Sequence, residues 1–98
     1  MGQRQQKSIP KPEIQLTYSS RIQNIYYVPS SFTELEDIAY NFYYSIVNIR
    51  HPYEYLNLTY SSRGFLKQTI TIHDKRTYKS AIKIVTKGTL QIEILAKA

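Results

Sequence analysis

The chain has 98 residues, a length that suits one small domain and excludes a two-domain enzyme with a closed cleft. It carries 13 Lys and Arg against 7 Asp and Glu, a net charge of +6, and 42% of its residues are hydrophobic. Ten residues are Tyr and none is Cys, which excludes a disulfide framework and a thiol nucleophile. These totals favour a binding or assembly module that is not an enzyme and holds no metal or other cofactor.

The sequence contains no apolar run near the roughly 20 residues that a membrane span needs, so we expect no membrane contact. Residues 1–12 are polar and basic, which predicts a flexible tail and no secretory signal. We therefore expect a single domain over residues 13–98 in a cytoplasmic protein.

The surplus positive charge lies in the second part of the chain. Residues 60–98 hold eight basic and two acidic side chains, whereas residues 1–59 hold five of each. Such a concentration is typical of contact with a polyanion. A solvated basic surface with no ligand is the alternative, and composition does not distinguish the two.

Two extended segments precede the first helix. Residues 13–18 alternate polar and apolar, residues 22–28 are rich in Ile and Tyr, and Pro29 ends the second segment. Ser31 and Glu34 form a capping box before a helix predicted over residues 32–49, whose apolar side chains recur at intervals of three and four.

The opposite face of this helix is also largely apolar. A helix that is apolar nearly all round needs a cover on two sides, and the domain's own sheet supplies only one. Aromatic rings that keep their hydroxyls in water are the alternative interpretation. The side chains on this second face are candidate contacts with a partner: Tyr40, Tyr43, Tyr44 and Val47.

Two further strands are predicted at residues 53–60 and 65–73, with a hairpin turn at 61–64. A short repeat accompanies them, because Leu-Thr-Tyr-Ser-Ser-Arg occurs at residues 16–21 and again at 58–63. The repeat indicates two similar units of strand and turn.

The last third of the chain begins with a second helix, predicted over residues 75–87 with Asp74 as its N-cap. We favour continuation of this helix to about residue 96. The rival is a helix that stops at Gly88, where Gly costs a helix interior roughly 1 kcal/mol relative to Ala, followed by a strand over 89–95. The exposed cations of the helix are candidate phosphate contacts: Lys75, Arg76, Lys79, Lys83 and Lys87.

Three local patterns resemble the small dimerising subunit of the KEOPS (EKC) complex over about residues 22–97. They are Val-Pro-Ser at 28–30, Tyr-Ser-Ser at 60–62, and the Asp-x-Arg-x-large-basic-x-small-aliphatic pattern that starts at Asp74. The resemblance implies an α+β fold in the order β-α-β-β-α, a three-stranded antiparallel sheet backed by two helices. An extra strand at residues 13–18, or a strand after Gly88, would be added to that fold.

The same resemblance, which is to archaeal members, implies a non-catalytic scaffold. Such a subunit forms a homodimer, binds the large threonylcarbamoyl-transferase subunit and assists the modification of tRNA. Arg76, Leu90 and Ile94 join the candidate partner contacts on this interpretation. The alternative is a free-standing basic nucleic-acid-binding protein, viral or chromosomal, whose Tyr rings stack on exposed bases.

Overall fold

A computed structural model describes residues 10–48, 56–61 and 68–96 of the chain. Most of the predicted turn at 61–64 therefore lies outside the described residues. The elements are β1 (Ile14–Tyr18), β2 (Arg21–Ile25), α1 (Phe32–Val47), β3 (Leu56–Ser61), β4 (Thr69–Ile72), α2 (Lys75–Ile82), a 3₁₀ turn (Lys83–Lys87) and β5 (Leu90–Ala96).

The five strands form one mixed sheet in the order β2-β1-β5-β3-β4. β1 and β5 run parallel at its centre, with Ile14 opposite Leu90 and Leu16 opposite Ile92, and the other neighbours are antiparallel. This order with a parallel central pair is the β-grasp topology. The predicted α+β class is confirmed, whereas the three-stranded antiparallel sheet in the order β-α-β-β-α is wrong.

The favoured continuation of the second helix to residue 96 is also wrong, and the rival interpretation, a strand after Gly88, is confirmed, because residues 90–96 form the strand β5. The α-helix ends at Ile82, and a 3₁₀ turn leads to Gly88. Beyond Gly88 the burial alternates, with Leu90, Ile92 and Ile94 buried and the residues between them exposed. A period of two fits a strand with one covered face and not a helix.

The core lies between one face of this sheet and the helices. On the helix side, Leu35 and Ala39 of α1 and Ala81 of α2 are fully buried. The Tyr18 and Tyr43 rings meet edge to face, with centroids 5.1 Å apart, which joins the end of β1 to α1. The sheet contributes the buried side chains Ile14, Leu16, Ile25, Leu58, Tyr60, Ile72, Leu90, Ile92 and Ile94.

The predicted N-cap of α1 is present, but only half of the capping box forms. Ser31 Oγ accepts a hydrogen bond from the Glu34 amide at 3.1 Å. The Glu34 carboxylate reaches Ser30 instead of Ser31, and accepts from the Ser30 amide at 2.7 Å and its hydroxyl at 2.8 Å. These bonds to the charged form hold the pKa of Glu34 below its ordinary value. Hence the carboxylate fixes the segment that enters the helix.

α1 ends at Val47, two residues earlier than predicted, because Asn48 takes a left-handed conformation with φ of 57°. Its amide donates to the Tyr44 carbonyl at 2.7 Å. Asn tolerates this conformation better than most residues and is a common helix terminator.

The predicted cap of α2 is confirmed and forms a complete capping box. Asp74 Oδ1 accepts from the Thr77 amide at 2.8 Å, and Thr77 Oγ1 accepts from the Asp74 amide at 3.1 Å. The bonds from Thr77, more than the nearby His73 and Arg76, hold the pKa of Asp74 below its ordinary value.

The first copy of the sequence repeat forms a two-residue hairpin between β1 and β2. Tyr18 lies opposite Arg21, and Ser19 and Ser20 between them have φ of 50° and 71°. Positive φ at both central residues is the geometry of a type I′ turn. The strand part of the second copy faces the core as the first does, whereas its turn lies outside the described residues.

Candidate interaction site

The second face of α1 is covered mainly by the chain itself. Tyr40 and Tyr43 are only 6% and 3% exposed, whereas Tyr44 and Val47 are half-buried. The Tyr40 and Tyr44 rings stack in parallel, with centroids 6.5 Å apart. Burial removes Tyr40 and Tyr43 from the candidate partner contacts, because a partner cannot reach them while the domain is folded.

Two further candidate partner contacts also lie in the core. Leu90 and Ile94 are each 1% exposed on the inner face of β5, between β1 and β3. Their role as partner contacts depended on a helical C-terminal segment, and the strand replaces it with a role in packing. Arg76, by contrast, is exposed at the start of α2.

All five predicted phosphate contacts are exposed, but they do not form one continuous stripe. Lys75 and Lys79 of α2 and Lys83, its C-cap residue, follow one another at intervals of four, which keeps them close to one helical face. A 3₁₀ turn has three residues per turn, so Lys87 is rotated about 120° from Lys83 around the axis. The structure therefore groups these three lysines with Arg76 beside them, and turns Lys87 away.

Little negative charge compensates this group. Within the described ranges, none of these cations forms an ion pair, and the one short charged contact is that of His73 Nδ1 with Asp74 Oδ2 at 3.5 Å. Arg76 acts on Asp74 only through space, by lowering the pKa of that carboxyl. A group of uncompensated exposed cations attracts polyanions.

Sequence reasoning missed a run of exposed apolar side chains along β2 and the segment after it. Ile22 is 58% exposed, Tyr26 55%, Tyr27 52% and Val28 41%. We call these four residues the apolar strip. Tyr26, Tyr27 and Val28 are consecutive, and neighbouring exposed apolar residues, unlike scattered ones, mark interaction surfaces.

The apolar strip adjoins an edge strand with free backbone groups. Because β2 is the edge strand and follows a two-residue turn, its ladder with β1 leaves the amide and carbonyl groups of Ile22 and Asn24 directed away from the sheet. Among the described residues no backbone group pairs with them. The Asn24 side chain donates to the Tyr26 hydroxyl at 3.3 Å and accepts from Gln15 at 3.0 Å, which orders this edge.

A groove of about 280 Å³ separates β2 from α1. The strand side of its lining consists of residues 23–27, which include the polar Gln23 and Asn24, and Ile38 comes from α1. The Tyr27 side chain also contributes to lowering the pKa of Glu34, which begins the helix side of this region. The groove therefore has mostly apolar walls beside a row of unpaired backbone groups.

Apart from Ile22, which lies opposite Thr17, the outer face of the sheet is mostly polar. Thr17 and Thr59, from the two copies of the repeat, flank Glu93 of β5 in register. Thr59 is 5% exposed, and its hydroxyl donates to the Glu93 carbonyl at 3.2 Å. The hydroxyl thus acts within the sheet, and the face carries a carboxylate instead of the cations expected for nucleic acid.

Neither α1 nor α2 has the length and apolarity that crossing a membrane requires, and this holds for every helical residue the structure describes. No protein-family model matches the chain, and no curated protein matches it by sequence.

Proposed function

We propose that the chain is a non-catalytic binding module that holds a protein partner through the apolar strip. The observation that supports this most directly is the exposure of Ile22 on the edge strand and of Tyr26, Tyr27 and Val28 directly after it. Keeping apolar surface in water is unfavourable by about 25 cal/mol for each Å². Tyr is also enriched among the residues that dominate binding energy, because its ring is rigid and its hydroxyl can bond.

The more specific role, a dimerising accessory subunit of a KEOPS-like complex that assists tRNA threonylcarbamoylation, stays a prediction. The capped second helix that starts at Asp74 supports it. The five-stranded sheet departs from the fold that the resemblance implies. Our proposal therefore depends on the exposed surface of this chain and not on the family.

Replacing Tyr27 with Ser is expected to weaken partner binding by about tenfold or more, since truncating a central interface aromatic commonly costs at least 1–2 kcal/mol. The measurement is affinity purification of the tagged full chain from its native cells, with quantitative mass spectrometry of the retained proteins. The large threonylcarbamoyl-transferase subunit is the specific candidate to look for.

Leu95→Ser is the matched control, because Leu95 is 42% exposed and lies on β5, away from the strip. Partners should be retained by the wild type and by this control and lost from Tyr27→Ser. An identical set of retained proteins for both variants would contradict the proposal.

A second candidate function, binding of nucleic acid, is favoured by the uncompensated cations of α2. Lys75, Arg76, Lys79 and Lys83 lie within nine residues that include no Asp or Glu. Their contacts would neutralise phosphates without reading bases, so affinity would fall steeply with salt.

Lys79→Glu is expected to weaken binding to a fluorescent single-stranded RNA and to duplex DNA. It should also reduce the slope of log affinity against log salt by about 1, the loss of one phosphate contact. Lys11→Glu makes the same charge change outside α2, at another exposed site. Fluorescence anisotropy at several salt concentrations measures both variants, and equal effects of the two changes would rule out a site on α2.

A further inference from the structure

We propose that β2 accepts an extended segment of a partner protein as an additional strand, with an apolar side chain of that segment in the groove between β2 and α1. This inference rests on the proposed function and specifies the chemistry of the partner. Three observations support it: the unpaired edge, the groove, and the charge at the end of β2.

The unpaired edge requires an extended backbone as its complement. Ile22 and Asn24 each direct one N–H and one C=O outward, two residues apart, which is the spacing at which an added strand presents its own groups. Sheet edges with free backbone groups are templates for such pairing unless charge, proline or a bulge blocks them. The outward-directed positions of β2 hold neither a charge nor a proline.

The groove determines which side chains the segment needs. Successive side chains of an added strand alternate between the outer face and the helix side of the sheet. Those on the helix side enter the space between Gln23, Ile25 and Ile38, and an aliphatic side chain fits the apolar part of this lining. Those on the other side lie beside Ile22 and Tyr26, which are more than half exposed. An aliphatic segment would therefore cover both sides of the edge.

Charge selects one end of the segment. Arg21 begins β2, is exposed, and forms no ion pair within the described ranges. An acidic residue of the segment at the hairpin end of β2 would meet this guanidinium. The recognised sequence is thus aliphatic with an acidic residue at one end.

A second copy of the chain is a poorer occupant than a foreign segment. Arg21, Gln23 and Ile25 share the face of β2 that looks toward the helices, because they lie opposite Tyr18, Leu16 and Ile14. In an antiparallel β2–β2 pair the copy would bring Arg21 and Gln23 to the groove, while its Ile25 is already 4% exposed in its own core. Polar side chains would then face apolar walls.

The test is a selection of displayed random peptides, about ten residues long, against the immobilised full chain, followed by synthesis of the enriched peptides. We expect the enriched peptides to have aliphatic residues at alternate positions and an acidic residue at one end. On binding, the Ile22 and Asn24 amides should exchange with solvent deuterium at least about tenfold more slowly, as measured by NMR.

Asn24→Pro removes an outward N–H that the ladder with β1 does not use, so an edge strand tolerates it. Peptide affinity should fall about tenfold or more, with a melting temperature within about 5 °C of the wild type. Asn24→Ala is the matched control, since it loses the same side-chain bonds to Gln15 and Tyr26 but keeps the amide, and it should weaken binding clearly less than Asn24→Pro. Arg21→Glu should lower the affinity for those peptides that have an acidic residue at one end.

Failure to enrich any peptide, or peptides that bind without protecting the Ile22 and Asn24 amides, would overturn strand addition. Protection of both amides in the free chain at high concentration would also overturn it and would identify a second copy as the occupant. If Asn24→Pro does not fold, hydrogen exchange of the Ile22 and Asn24 amides in the wild type still decides whether the peptide binds as an added strand. If Tyr27→Ser loses its partners but peptide binding does not protect the Ile22 and Asn24 amides of the wild type, the proposed function stands and only this inference is refuted.

Discussion

Replacing Ile94 with Ala is expected to lower the free energy of unfolding by about 2–5 kcal/mol, a large part of the stability of a domain this size. Ile94 is 1% exposed and pairs with Leu58 in the centre of the sheet. Loss of its buried methyl groups leaves a cavity that neighbouring strands cannot close. Urea denaturation followed by circular dichroism measures the change.

Glu93→Ala is the matched control on the same strand. Glu93 is exposed on the outer face, so its replacement should change the free energy of unfolding by no more than about 0.5 kcal/mol. A large loss of stability at one residue and almost none at its neighbour is expected for a strand that has only one covered face. Equal, small effects at both positions would instead support a helical C-terminal segment with Ile94 at its surface.

Replacing Tyr78 with Phe is expected to lower the free energy of unfolding by about 1–3 kcal/mol. The Tyr78 side chain of α2 is buried, and its hydroxyl donates a hydrogen bond to the carbonyl of Pro29, which is buried too. This bond ties the second helix to the segment between the apolar strip and α1. Phe preserves the ring packing and leaves the buried carbonyl without its donor, so the measured loss isolates the hydrogen bond.

The same hydroxyl gives the stability a dependence on alkaline pH. Burial, with a smaller effect of the Glu34 carboxylate, raises the pKa of Tyr78 to about 12, against 10.0 for an ordinary Tyr. The folded chain therefore keeps a proton that the unfolded chain loses. This stabilising contribution is complete below pH 10.0 and is lost as the pH rises toward about 12.

Tyr78→Phe should flatten the decline of stability with pH over that range. The decline should not vanish, because burial also raises the pKa of Tyr60. Tyr26→Phe is the control, since Tyr26 is 55% exposed. The readout is urea denaturation at several alkaline pH values, and an unchanged slope in Tyr78→Phe would show that Tyr78 does not carry the effect.

Helix starts were predictable from the sequence because their causes are local. Ser31 and Asp74 each bond an amide three residues ahead, so the pattern is complete within a few residues. The sheet order was not predictable in this way. β1 pairs with β5 across most of the chain, and no neighbouring residues specify that contact. For this reason the sequence left helix and strand both open for the C-terminal segment, and the helix was favoured. Only the position beside β1 makes the alternation of Leu90, Ile92 and Ile94 decisive for a strand.

The candidate site was misjudged for a related reason. Helical periodicity places Tyr40 and Tyr43 on a second apolar face, but it does not show that the chain itself buries them. The Ile-Tyr-Tyr-Val run at 25–28 looks like a buried strand. Ile25 is buried, but residues 26–28 are exposed because β2 ends at Ile25 and forms the sheet edge, a position that depends on the order of all five strands.

The central position of β5 constrains how the domain can fold during synthesis. Within the described residues, β5 alone joins the β1–β2 hairpin to the β3–β4 hairpin. Each hairpin can form early from local contacts, but the two cannot share a sheet until residues 90–96 have left the ribosome. Until then β1 and β3 present unpaired inner edges, which are sites of aggregation. Premature termination before Leu90 would therefore leave a chain in which helices and hairpins have formed but β1 and β3 each keep an unpaired edge. Chaperones would have to bind such a chain, or proteases degrade it, before it aggregates.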